Sequence, residues 1–249
     1  MSAAFTAIAA AETKVLWRNR TAGFTGVALP VLLGAFVTFL VRPQNATTWA
    51  IVVGLQLTLT LAYGVYTTTT SVVVARRHAL VLKRMRTSDT RDSVLLGGMV
   101  APPVALAWGQ LVVLALVDVV RGAPVPADPA LLVLAVVLGF AMYLAAALAT
   151  TPMSSSPERA QLTTLPLAFL AMASGAVLPI LDSGTLAQAL TAIPGAGLGR
   201  LAALAFHGGA WEAGAGGFPA ALPALLSLVV WTAVLGLLAR RFFQWEPRR

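Results

Sequence analysis

The chain contains no cysteine. That excludes disulfides, thiolate metal sites and Cys nucleophiles, so packing alone must hold the fold. Charge is nearly as scarce: 10% of 249 residues, with nine acids against seventeen Lys and Arg, and two histidines. His78 and His207 lie too far apart in sequence to be the paired ligands of a zincin. Lys14 and Lys83, the two lysines, follow Thr13 and Leu82 instead of a glycine-rich turn, so there is no P-loop for ATP. The serines of "TTPMSSSPERA" have no His beside them to act as a base, so no nucleophilic triad is legible. No catalytic residue and no metal ligand emerges. With no aromatics interleaved among the basic residues, the net charge of +8 does not make a nucleic-acid surface.

Apolar residues are what the chain has in excess, at 58% hydrophobic and a mean hydropathy of +0.84. A water-soluble domain does not carry this composition, and its solvent is lipid. A spanning helix needs about 20 mostly apolar residues. Six segments meet that criterion: Ala22 to Val41, Trp49 to Ala75, Val94 to Val120, Ala130 to Thr151, Leu162 to Leu181 and Leu222 to Ala239. The fold class expected is an all-α polytopic membrane protein, one six-helix domain over residues 1–249. An even number of spans puts both termini on one side. Fourteen basic residues lie on that side and three, Arg42, Arg121 and Arg200, on the other, which makes the terminal side cytoplasmic and the location a cell membrane.

Two segments stand outside the spans. Residues 2–20 read as an amphipathic helix in the cytoplasmic interface, with Phe5, Ile8, Val15 and Leu16 for one face and Lys14, Arg18 and Arg20 for the headgroups. Because charges follow its apolar stretch where a cleavage site would be, it is expected to stay on the protein. Residues 183–221 hold two short apolar patterns, Leu186 to Ile193 and Leu198 to Phe206, broken by Pro194, Gly195, Gly197 and Gly199. Neither is long enough to span. A broken, re-entrant hairpin on the outer face and a surface loop with two helical turns are both open readings.

Polar groups inside spans are costly in lipid and so turn toward protein or a wet path. In the second span Gln56, Thr60, Tyr63 and Thr67 recur at helical spacing and mark one face as a candidate pathway, with Thr-to-backbone bonding as the alternative. Gln110 and Asp118 in the third span are weaker candidates, Asp118 being close enough to the outer end to be solvated. Pro30, Pro102, Pro103, Pro166 and Pro179 each free a backbone carbonyl that needs another partner. The central thirds of the spans hold no Asp, Glu, Lys, Arg or His and no internal repeat is visible, both of which weigh against a secondary transporter.

The stretch "ARRHALVLKRMRTSDTRDS" carries six of the basic residues. Topology explains their sign. A helix from Arg76 to Thr87 would add an apolar stripe of Val81, Leu82 and Met85 ringed by Arg76, Arg77, Lys83, Arg84 and Arg86, followed by a cap at Ser88 or Asp89 and by Asp92 against the next helix dipole. A loop held by lipid alone would need neither stripe nor cap.

In this respect "RRHALVLKRMRTSDTRDSVLLGG" resembles the cytoplasmic loop after the second span in permease subunits of type II ABC exporters, of the multidrug-efflux type. "ETKVLWRNRTAGFTGVALP", with Arg18, Asn19 and Pro30, is similar to their interfacial entry helix. "LPLAFLAMASGAVLPI", with Ser174, Gly175 and Pro179, is similar to their fifth span, and "LTAIPGAGLGRLAAL", with Pro194 and Arg200, to the outer segment after it. The resemblance implies a dimer with a second permease copy, identical or a close relative. It implies two copies of a cytoplasmic P-loop ATPase subunit that carries the ATP and Mg, this chain having no cofactor of its own, and export of a lipophilic or amphiphilic drug, lipid or glycolipid. Residues 76–88 would be the coupling helix, with Arg77, Lys83, Arg84 and Arg86 meeting the ATPase while Val81, Leu82 and Met85 fill its groove. Cargo would pass along Gln56, Thr60, Tyr63, Thr67 and Ser174. A non-transporting six-helix scaffold or sensor subunit, its basic loop bound to another cytoplasmic partner, is the alternative.

Overall fold

A computed structural model describes residues 3–18, 24–82, 90–181, 185–214, 217–243 and 245. Among them the fold is all α, with nine helices: α1 (Ala3–Arg18), α2 (Gly26–Val41), α3 (Ala46–His78), α4 (Asp92–Val120), α5 (Pro129–Met153), α6 (Pro157–Val177), α7 (Thr185–Thr191), α8 (Gly197–His207) and α9 (Leu222–Phe242). Five of these, α3, α4, α5, α6 and α9, are long and apolar enough to cross a membrane, and α2 is a shorter apolar helix. Their outward faces are apolar too, as Phe36, Leu116, Phe169 and Leu237 show, each more than half exposed. Such surfaces suit lipid and not water, and the chain is a multi-pass membrane protein. The first expected span corresponds to the shorter helix α2, which is entered through a π turn at Phe24–Ala28.

The bundle is arranged around α3. Its apolar window is 72% buried, against 17% for α9, which packs at the edge along α5. At 33 residues, α3 is about 50 Å long and outruns a hydrocarbon core of about 30 Å. Asn45 starts it with a capping box, its side chain accepting from Thr48 N at 2.9 Å while the Thr48 hydroxyl accepts from Asn45 N at 3.2 Å. Midway, Thr60–Thr67 is π-helical. The Thr67 and Thr68 hydroxyls donate to Ala62 O and Tyr63 O, five residues back, and so satisfy carbonyls along this wider stretch.

Of the five prolines inside the expected spans, Pro30 has its missing donor replaced by a side chain. Pro30 has no N–H for Gly26 O, and the Gln110 side-chain amide donates to that carbonyl at 2.7 Å and to Val27 O at 3.0 Å. Gln110 thereby ties α4 to the entry of α2. Opposite it Gly64 leaves room for that side chain, because a Cβ there would lie 2.6 Å from Gln110 Oε1 and push the amide aside.

Between α6 and α9 the second of the two short apolar patterns is a packed helix. In α8, Leu198, Leu201, Ala202 and Ala205 are fully buried against α3, α5, α6 and α9, so this is a helix inserted into the bundle and not a surface loop. It enters where three glycines meet: a Cβ on Gly199 would sit 2.8 Å from Gly175 Cα, and one on Gly54 would sit 3.0 Å from Gly175 O. Asp128 anchors the far side, capping α5 through Leu131 N at 3.0 Å and accepting from Trp211 Nε1 at 2.7 Å.

The helix expected from Arg76 to Thr87 is interrupted. Arg76 to His78 are the last turn of α3, and the chain then breaks at Ala79 and Leu80, where Leu80 has φ 56°. Lys83 to Asp89, including Lys83, Arg84, Met85 and Arg86 and the expected caps Ser88 and Asp89, lie outside the described residues. The N-cap of α4 is Arg91, with Asp92 in its first turn. Leu82 is fully buried beside Val73 and Met99, a position that fills this chain's own core. Replacing Leu82 by Ala is expected to lower stability by about 3 kcal/mol in a thermal or denaturant melt of the detergent-purified chain.

Candidate functional site

A cleft of about 410 Å³ opens between α1, α3 and α6. It begins at the end of the bundle where Ile8 of α1 and Phe243, just past α9, pack into one apolar cluster. Arg76, in the last turn of α3, stands at its head, and the wall then follows Ser71, Thr68 and Thr67 to Tyr63. Thirteen residues of helix make this path about 20 Å long, well into the apolar depth of the bundle. Val15 and Leu16 of α1 face it from one side, and Glu158 and Gln161 of α6 from the other.

Helix α1 is placed by its own periodicity. Phe5, Ile8, Glu12 and Leu16 recur every three or four residues and point inward. Gly97 and Gly98 of α4 make room for the first two, since a Cβ on Gly98 would meet Ile8 at 2.9 Å. The expected apolar face therefore needs amending: Val15 is 44% exposed, and the buried stripe includes an acid. Glu12 is 5% exposed and forms an ion pair with Arg76, at 2.7 Å to Nε and 2.9 Å to Nη2. Two parallel contacts to one guanidinium make a strong, directional link, here between α1 and α3 across the head of the cleft. A basic residue on a span end hides nothing in the sequence that points to Glu12, because the spacing of 64 residues is set by tertiary packing alone.

The expected pathway residues divide. Tyr63 and Thr67 line the cleft, where the Thr67 hydroxyl also lies within hydrogen-bonding distance of Thr164 Oγ1 of α6, at 3.1 Å. Gln56, Thr60 and Ser174 do not. Ser174 is buried and donates to Ala171 O in its own helix at 2.8 Å, and Thr60 is fully buried. Within α3 the π segment separates the two sets, because its wider turn rotates the residues after Thr60 relative to the face on which Gln56 lies.

Gln56 belongs to a second polar cluster. Its amide donates to Thr38 Oγ1 at 2.9 Å and Asp118 Oδ1 at 3.0 Å, and the Thr38 hydroxyl reaches the same Asp118 oxygen at 3.0 Å. Asp118 is 5% exposed, so the expected solvated residue is in fact a buried junction of α2, α3 and α4. Asp118→Ala leaves the buried Gln56 and Thr38 donors without their shared acceptor. It is expected to cost about 2 kcal/mol in a melt, with Asp118→Asn costing less.

Of the coupling residues, Arg77 is 3% exposed and donates to Ser154 O at the end of α5, so in this chain it points inward. Val81 is half-buried. Among the described residues no group of three His, Asp or Glu is placed to hold a metal. No family model matches the chain, and neither curated proteins nor solved structures show a significant match to it.

Proposed function

We propose that this chain is the membrane-spanning subunit of an ATP-driven exporter, moving a lipophilic or amphiphilic molecule out of the cytoplasm with energy from a separate P-loop ATPase. The observation that carries the reading is the cleft, which starts at the basic end of the bundle and climbs α3 to Tyr63 with hydroxyls on one wall and aliphatic side chains on the other. A passive anchor has no use for such a groove. Further support comes from the sequence: there is no ATP site in the chain, and the short basic block between α3 and α4 resembles a coupling segment. Because Arg77 and Leu82 are committed to this chain's own packing, the docking contacts of that segment fall to Lys83, Arg84, Met85 and Arg86.

The test is coexpression with a P-loop ATPase taken from the neighbouring reading frames, the first observation being whether those frames encode one. The two are expected to copurify in detergent, and the complex to hydrolyse ATP faster in proteoliposomes than the ATPase alone. Lys83→Glu with Arg84→Glu is expected to abolish copurification while leaving the melt of the isolated membrane chain unchanged. An ATPase that neither binds nor responds would remove the exporter reading in favour of a scaffold or sensor subunit.

A further inference from the structure

The chain runs on past its last helix and turns back under the bundle. The body of α9 packs along α5, α8 and α7, and its apolar window is the least buried of the five long helices. Arg240, Arg241 and Phe242 at its end are exposed. At Phe243 the backbone becomes extended, with ψ 128°, as its N–H closes on Ala239 O at 2.9 Å. Side chains two apart on an extended chain point the same way, and Phe243 and Trp245 are both half-buried, edge to face with ring centroids 5.2 Å apart. They pack on one apolar cluster made by Ile8 of α1, Val73 of α3, Leu82, Met99 of α4 and Leu148 of α5. This short tail thereby ties the edge helix to α1, α3 and α4, along which its body does not run.

Leu82 is the member of that cluster with a consequence, because the break after α3 depends on it. Leu80 has φ 56°, a left-handed conformation that is strained for a residue with a bulky side chain and persists only where its surroundings hold it. The Leu80 side chain is exposed and supplies little of that hold, whereas Leu82, two residues on, is fully buried. We infer that the tail is a strap. Phe243 and Trp245 keep Leu82 in the base of the bundle, maintain the strained break at Ala79 and Leu80, and so fix the point from which the basic block starting at Lys83 departs. With the strap off, Leu80 relaxes and Leu82 leaves the cluster. The inference deepens the proposed function at its docking segment and rests on that reading only for what the segment meets. The strap itself needs no ATPase, so the two can fail separately.

The experiment uses the full chain in detergent with one spin label on Leu80→Cys, the native sequence having no cysteine of its own. The label is expected to be largely immobile in the parent. Phe243→Ala with Trp245→Ala is expected to raise the ratio of mobile to immobile label about tenfold, on the scale of removing two half-buried rings. Phe242→Ala, which removes the exposed neighbouring ring, is expected to leave the ratio unchanged. A label on Val125→Cys, exposed in the loop between α4 and α5, is expected to respond to none of these changes. A label on Leu80→Cys already mobile in the parent, an unchanged ratio in the double variant, an equal rise in Phe242→Ala, or a matching rise at Val125→Cys would each overturn the inference. If the double variant does not fold, Trp245→Ala alone decides: a rise of about threefold is expected, and no rise rejects the strap.

Discussion

Gly199→Leu is expected to leave no folded protein to purify. The Cβ alone would come within 2.8 Å of Gly175 Cα and 3.0 Å of Gly175 O, and backbone atoms have no rotamer by which to yield. The remaining Leu atoms would have to push α8 away from α6 and α3, undoing the burial of Leu198, Leu201 and Ala202. Overpacking by a methylene or two costs about 1–3 kcal/mol, and a whole side chain against backbone lies above that range. The readout is the monodisperse peak on size-exclusion chromatography together with the tryptophan melt. Gly175→Leu should behave alike, since a Cβ there lies 2.9 Å from the Thr58 hydroxyl oxygen. Gly236, with open space around it, is the control: Gly236→Leu should leave peak and melt unchanged or slightly improved.

Glu12→Ala is expected to free α1 from α3 while the rest of the bundle stays folded. It deletes both contacts to Arg76 and leaves a guanidinium whose side chain is 22% exposed with nothing opposite. Breaking a fully buried pair costs about 3–5 kcal/mol, and partial exposure of Arg76 brings the figure down to about 2 kcal/mol. The absence of cysteine makes the measurement clean, because a single Cys at Trp17, which is 67% exposed, can carry a spin label without background. The label should become more mobile in Glu12→Ala, less so in Glu12→Gln, and return toward the parent in the exchanged pair Glu12→Arg with Arg76→Glu. Unchanged mobility in Glu12→Ala would mean that Phe5 and Ile8 against α4 hold α1 unaided.

Long apolar runs were the legible part of this fold. Composition and length found the five long helices and α2, and the Pro194 to Gly199 break found the two short helices, because these properties are local to the chain. What the sequence could not show depends on which helices touch. Asp118 sits two residues from the end of α4 and reads as solvated until Thr38 and Gln56 are brought to it. Glu12 reads as an interruption of an apolar face until Arg76 is beside it. The even spacing of Gln56, Thr60, Tyr63 and Thr67 assumed 3.6 residues per turn throughout, and the π segment spoils that assumption between the second and third of them. Leu82 was assigned to a partner's groove on local pattern alone, although a stripe of apolar residues looks the same whether a neighbouring chain or Val73 and Met99 cover it.

Gln110 offers a last consequence. By supplying the donor that Pro30 lacks, it rivets the entry of α2 to the middle of α4, and the Asp118 junction fastens the same two helices to α3 nearer their other ends. Two fasteners at different heights resist both sliding and splaying, so α2, α3 and α4 constitute a chassis. Across the cleft, α6 meets α3 through the glycine contact and the Thr67 to Thr164 hydroxyl pair, a seam with far less polar stitching. A load applied at the basic end would be carried rigidly by the chassis and dissipated along that seam.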